Sequence, residues 1–180
     1  MSEKTLKKNL IYKGKILDLY CDDVVCHNGN ITKREIIHHN GGVCILGFKD
    51  NKVILVRQYR YALGKDFLEL PAGKIEKGED PDKAAYREFE EETGLKPIML
   101  TKLGKIVPTC GYSDEIISLY VVNESEESHR DLDVDEDIDL VYLPLEEVEE
   151  KIDNGEIIDA KTIALIYHFR RQLKQWRLLL

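Results

Sequence analysis

The stretch Gly73–Leu95, GKIEKGEDPDKAAYREFEEETGL, constrains what this chain can fold into more than any other. Its second half is punctuated as a helix. Asp80 is a strong N-cap, and Pro81 suits the first helical position, where its missing N–H costs nothing. Ala84, Ala85 and Arg87 are good helix formers, and Gly94 is placed to end the helix in a left-handed turn. On such a helix Glu88, Glu91 and Glu92 stand at i, i+3 and i+4 and share one face, while Glu90 points elsewhere. The placement is electrostatically poor, because like charges repel and acids near a helix C-terminus oppose the macrodipole. A local rule broken without structural gain marks a candidate site. Hard oxygen donors grouped in this way suit magnesium, which keeps several waters and is held by one or two carboxylates plus substrate phosphates. Taken alone, the E-x-x-E-E pattern also fits a solvated acidic face.

The rest of the chain removes other classes. A length of 180 residues with 43% apolar content fits a single α/β or α+β domain with one substantial core. A net charge of −8 excludes a general nucleic-acid binder but leaves room for a nucleotide held through metal ions. The opening MSEKTLKKNLIYKG lacks the apolar core of a signal peptide, and no run could span a bilayer, so a cytoplasmic protein without membrane contact is expected. The glycines of the central stretch are not a P-loop, since Glu79 and Asp80 stand where Lys and Ser/Thr would be required. The acidic segment ESEESHRDLDVDEDID fails as an EF-hand: counted from Asp131, the sixth position is Glu136 and the twelfth Tyr142. It reads as a solvated loop or a functional lid. Cys21, Cys26, Cys44 and Cys110 show no metal spacing and read as reduced, mostly buried thiols. His38, His39 and His168 stand apart from any ligand cluster.

Along the chain, residues from about Lys15 to His39 read as a long hairpin around Asn28-Gly29, a type I′ turn signal. A second hairpin follows, VCILGF and VILVRQYR around KDNK, and Gly41-Gly42 separates the two. The segment Phe67–Ala72 reads as one short strand. KLGKIVP, EIISLYVV and LVYLPL read as further strands, followed by a short helix from about Leu145 to Asn154 and a long one from near Ala160. Ile163, Ile166, Tyr167, Leu173 and Trp176 supply the apolar stripe of that last helix.

Gly73, Glu79 and Arg87-Glu88-Phe89-x-Glu91-Glu92-x-Gly94-Leu95 match the fixed positions of the Nudix box, so the chain resembles the Nudix hydrolases. Val56-Arg57-Gln58-Tyr59-Arg60, Glu69-Leu70-Pro71-Ala72-Gly73, Gly111-Tyr112-Ser113-Asp114-Glu115 and Asp159-Ala160-Lys161-Thr162 are similar to the ADP-ribose pyrophosphatase branch, from about Gly14 to Phe169. The resemblance implies an α/β/α Nudix sandwich with a mixed sheet (residues 41–180). It also implies an N-terminal antiparallel β-lobe (residues 1–40), exchanged between the subunits of a homodimer. It implies metal-dependent hydrolysis of ADP-ribose to AMP and ribose 5-phosphate. The alternatives are another nucleoside diphosphate derivative such as a nucleotide sugar, or a non-catalytic nucleotide-binding regulatory domain. In this comparison Glu88, Glu92, Glu91 and the carbonyl of Ala72 hold Mg2+ (or Mn2+), with Arg87 and Glu79 orienting the carboxylates. Arg57 and Arg60 face the phosphates or the adenine, and Gly111 and Glu115 lie in the substrate loop. Val134 stands where close relatives carry glutamate, which leaves Glu136, then Asp135, then Glu115, as candidates for the general base.

Overall fold

A computed structural model describes residues 2–132 and 137–177. In chain order it contains β1 (Lys4–Lys7), β2 (Leu10–Lys13), β3 (Leu17–Val25), β4 (Ile31–His39), β5 (Gly42–Leu46), β6 (Phe48–Lys49) and β7 (Lys52–Arg60). A 3-10 turn (Tyr61–Leu63), β8 (Lys65–Glu69) and β9 (Ala72–Lys74) lead to α1 (Pro81–Thr93). Then come β10 (Leu95–Ile106), β11 (Ile117–Glu127), β12 (Ile138–Leu143), α2 (Leu145–Asp153) and α3 (Ala160–Arg177). The chain divides into two compact units, residues 1–41 with 107–116, and residues 42–106 with 117–180.

The first unit is a four-stranded antiparallel sheet built on β3. β4 pairs along one edge from Leu17↔His39 to Val25↔Ile31, while β1 and β2 share the other edge end to end. Asn9 joins those two short strands. Its backbone N–H donates to Asp22 Oδ1, and its amide donates to the Cys21 carbonyl and Asp23 Oδ2, each at 3.0 Å. The β3–β4 connection differs from the expected type I′ turn. Gly29 has φ +83°, but Asn28 is not among the residues with positive φ. Gly29 N–H instead closes onto the Cys26 carbonyl at 2.9 Å, and Asn28 Oδ1 accepts from Asn30 N–H, so the side chain serves the backbone. The left-handed pair sits in the second hairpin, at Asp50 (φ 50°) and Asn51 (φ 61°).

The second unit carries helices on both faces of its sheets because its central strands alternate. On β5, Val43 and Ile45 pack with Ala84, Ala85 and Phe89 of α1, while Cys44 and Leu46 pack with Leu145, Val148, Leu165 and Ile166 of α2 and α3. β7 repeats this, with Ile54 on the α1 side and Val53 and Leu55 on the other. The strand order β10-β11-β5-β9 is mixed, with β11 parallel to β5 and the other pairings antiparallel. A second sheet runs β12-β7-β6, with β8 also on β7. The unit is therefore an α/β/α sandwich.

Several expectations are corrected. Phe67–Ala72 is not one strand: Pro71 interrupts it, and β8 and β9 join different sheets. β11 runs on to Glu127, paired with β10, so the start of the acidic segment is sheet rather than loop. In α3 the buried stripe is Thr162, Leu165 and Ile166, whereas Tyr167 is exposed and donates to Asp153. The side chain of Trp176 lies outside the described residues. Of the cysteines only Cys44 is buried; Cys21 and Cys26 are half-buried and Cys110 is exposed.

Candidate active site

α1 begins and ends as its sequence dictates. Asp80 Oδ1 accepts from Asp82 N–H at 2.9 Å, Pro81 occupies the first turn, and Gly94 (φ 71°) returns its N–H to the Glu90 carbonyl. The C-terminal end is closed by the segment after β11. Asp131 N–H donates to the Glu91 carbonyl at 3.1 Å, Ser128 N–H to the Gly94 carbonyl at 2.8 Å, and Arg130 Nε to the Glu92 carbonyl at 2.7 Å. Arg130 therefore brings a positive charge to the pole that Glu88, Glu91 and Glu92 disfavour. Its Nη2 continues to the Ile138 carbonyl at 2.7 Å, fastening β12 to the same point.

Arg87 organises the acidic face. Nη1 donates to Glu88 Oε1 at 2.8 Å and Glu91 Oε2 at 2.9 Å, while Nε and Nη2 grip both oxygens of Glu79, each at 3.0 Å. The grip holds the Glu79 carboxyl below its usual range and raises the Arg87 guanidinium further above its own. Glu79 Oε2 also accepts from Glu76 N–H, which fixes the loop before α1. Glu92 is only 4% exposed, and its Oε2 accepts from Ala72 N–H at 3.1 Å. Gly73 matters by contact rather than by φ: a Cβ there would lie 1.8 Å from the Glu88 carboxyl carbon and would displace that carboxylate.

These contacts bring Ala72, Glu88, Glu91 and Glu92 together at the junction of β9 and α1. Among the described residues no three acidic, histidine or cysteine side chains converge as a ready metal shell. The donor set nevertheless fits a hard divalent cation. It offers only carboxylate and carbonyl oxygens, and the missing Cβ of Gly73 admits the Glu88 carboxylate against the backbone beside Ala72.

The two arginines of β7 have different surroundings. Standing three apart on a strand, they point to opposite faces. Arg57 is exposed and makes no ion pair with a described residue. Arg60 donates from Nε (2.7 Å) and Nη2 (2.8 Å) to the buried Glu69. Burial pushes the Glu69 carboxyl up, yet Arg60 and Lys161 outweigh it and leave the group below its ordinary range. Glu69, Lys161, Asp159 and Thr162 had no role assigned from sequence; the visible signal was the capping pattern Asp159-x-x-Thr162, whose Thr162 N–H donates to Asp159 Oδ2 at 3.0 Å.

Gly111 and Glu115 belong to the first unit. Its loop is stitched to β4 by Ile37 N–H to the Tyr112 carbonyl (2.7 Å) and by Asp114, which receives His38 Nδ1 (2.5 Å) and His39 N–H (2.9 Å). Glu115 Oε1 stands 3.4 Å from His39 Nδ1. Glu136 and Asp135 lie outside the described residues.

Comparison with known proteins agrees with this geometry. The family model of the NUDIX domain matches residues 38–166. An ADP-ribose pyrophosphatase of Bacillus subtilis is 40% identical over 178 residues, 97% of this chain and 95% of that protein. A methanol dehydrogenase activator of Bacillus methanolicus is 41% identical over 173 residues, 94% of each. A solved structure titled as an ADP compounds hydrolase superposes with a TM-score of 0.87 at 22% identity, covering 98% of this chain and 96% of that one. With the box glutamates on one end of α1, Arg87 between them and the family match over most of its length, the chain belongs to the Nudix hydrolases.

Proposed function

We infer that this protein hydrolyses the diphosphate bond of ADP-ribose, giving AMP and ribose 5-phosphate. The observation that carries the reading is the gathered acidic face, in which Arg87, gripped by Glu79, bonds Glu88 and Glu91, and the buried Glu92 accepts from Ala72 N–H. Glu88, Glu91, Glu92 and the Ala72 carbonyl would hold Mg2+, with Mn2+ as a substitute. The cation, when bound, neutralises diphosphate charge, acidifies a water and stabilises the leaving phosphate. The chain's own residues do the rest. Arg87 shields the carboxylates from one another and sets their rotamers, Arg60 meets a phosphate oxygen with its outer N–H groups, and Arg57 faces a phosphate or the adenine. Gly111 and Glu115 supply the substrate loop. Glu136 takes the proton of the attacking water, with Asp135 next in order.

The working form in this reading is a cytoplasmic homodimer that exchanges the lobe of residues 1–40. Exposed Leu6, Leu10, Ile11, Tyr12, Ile16 and Ile31 on that lobe support it, since such an apolar surface is unusual on a free sheet. The four cysteines, all without disulfides, support the reducing compartment. Among the described residues no helix is long and apolar enough to cross a membrane.

A second reading, regulation of a partner enzyme, is favoured by the relative named as a methanol dehydrogenase activator. One experiment separates these. The protein is incubated with magnesium and a panel of nucleoside diphosphate derivatives, and the products are identified. Highest kcat/KM for ADP-ribose supports the reading. A nucleotide sugar ranking first corrects the substrate, and tight nucleotide binding without turnover favours the regulatory alternative.

A further inference from the structure

The second unit contains a largely buried ionic chain of which the hydrolysis reading uses only Arg60. Glu69, at the end of β8, is 2% exposed, and both its oxygens are taken by Arg60 in a two-bond fork. The same carboxylate accepts from Lys161 Nζ on the first turn of α3. Lys161 Nζ also lies 2.9 Å from Asp159 Oδ1. Asp159 Oδ2 accepts from Thr162 Oγ1 at 2.6 Å, and Thr162 Oγ1 in turn accepts from Leu70 N–H at 2.9 Å. The chain thus closes on the residue next to Glu69. It holds two cations and two carboxylates, and each is paired.

The pairing has an asymmetry. Glu69 and Lys161 are almost wholly enclosed, with side chains 2% and 13% exposed, whereas Arg60 keeps 39% of its side chain at the surface. Its Nε–Nη2 edge is occupied by Glu69, and Nη1 makes no hydrogen bond to a described residue. The guanidinium is therefore anchored along one edge and presented along the other, a rigid fork for a phosphate. How far it is presented depends on Lys161. With Lys161 in place, Glu69 needs only part of its compensation from Arg60. Without it, a buried carboxylate has Arg60 as its single cation and draws it inward.

We propose that Lys161 and Glu69 are positioning residues that set the Arg60 guanidinium for the substrate's diphosphate. This rests on the reading that Arg60 contacts that diphosphate, so the test includes Arg60 itself. Steady-state hydrolysis of ADP-ribose at saturating magnesium is measured for the full-length protein, K161M, R60A and the double variant, with thermal unfolding recorded for each. K161M is expected to raise KM about 10-fold, the scale of one charge-assisted hydrogen bond, with kcat within about 2-fold of the parent. R60A raises KM at least as much. The double variant matches R60A alone, because Lys161 acts only through Arg60. Both Lys161 roles lower Tm, because a buried carboxylate loses a partner, but a merely structural Lys161 would add its full KM factor on top of R60A, which overturns the proposal, as does an unchanged KM in K161M. R60A with the parent KM gives a different pattern: it removes Arg60 from the substrate and takes the proposal with it. If K161M does not fold, E69Q, which keeps the side-chain shape, is read in the same cycle with the same expectations.

Discussion

Glu92 shows at the scale of a single residue how chemistry and folding separate. Its carboxylate is buried and accepts from a backbone donor, Ala72 N–H, a bond that Gln can accept equally well. Glu92→Gln should therefore fold with a Tm close to the parent and lose at least about 100-fold in kcat, since it removes a metal-binding charge. Near-normal turnover at saturating magnesium would refute the assignment of Glu92 as a ligand. Glu69 carries the pH dependence. Its folded-state carboxyl lies below the ordinary value of 4.5, so its contribution to stability is complete above about pH 4.5 and is lost as the pH falls through the folded value. The Tm difference between the parent and Glu69→Gln should be largest near neutral pH and shrink below about pH 4.5. A difference that stays constant to pH 3 would show that the carboxylate is not selectively stabilised by Arg60 and Lys161. These residues differ in how visible they were. Glu88, Glu91 and Glu92 announce themselves because their spacing breaks a helix rule, whereas the Glu69–Lys161 pair spans 92 positions and leaves no local signature.

The box helix is the element in which sequence and structure agree best, because its signals are local. The cap at Asp80, the proline after it and the left-handed Gly94 each act within one turn. The far end of the same helix was not legible, since its carbonyls are satisfied by Ser128, Arg130 and Asp131, which follow a complete β-hairpin. Nor did the acidic composition of that segment disclose that residues up to Glu127 are strand, because β11 is fixed by pairing with β10 rather than by propensity. Similarly, Pro71 could not reveal that β8 and β9 belong to different sheets. Arg130 gives the test at this scale. It bonds the Glu92 and Ile138 carbonyls, so Arg130→Met should cost about 2 kcal/mol of unfolding free energy. Chemical denaturation would measure it, and a change below about 0.5 kcal/mol would mean that the capping contacts contribute nothing.

For the whole molecule, the fold of the second unit follows from strands whose two faces are both apolar, a pattern that requires helices on each side. The first unit is different. Its strands β1 and β2 are exposed along their length, and their short polar-apolar runs gave no strand signal. The proposed exchange of residues 1–40 would cover their apolar side chains with a second copy of the chain. Sedimentation should find a dimer at micromolar concentration, and a stable, active monomer would contradict the exchange of residues 1–40. The central claim is that the carboxylates Glu88, Glu91 and Glu92 of the box helix serve hydrolysis of a nucleoside diphosphate. Its most direct measurement is the identity of the products formed from ADP-ribose as magnesium is titrated into the parent and into Glu92→Gln. The account predicts AMP and ribose 5-phosphate in equal amounts, no turnover without the cation, and little turnover by the variant at any concentration. Turnover that ignores both the cation and Glu92, or intact ADP-ribose at saturating magnesium, would contradict it.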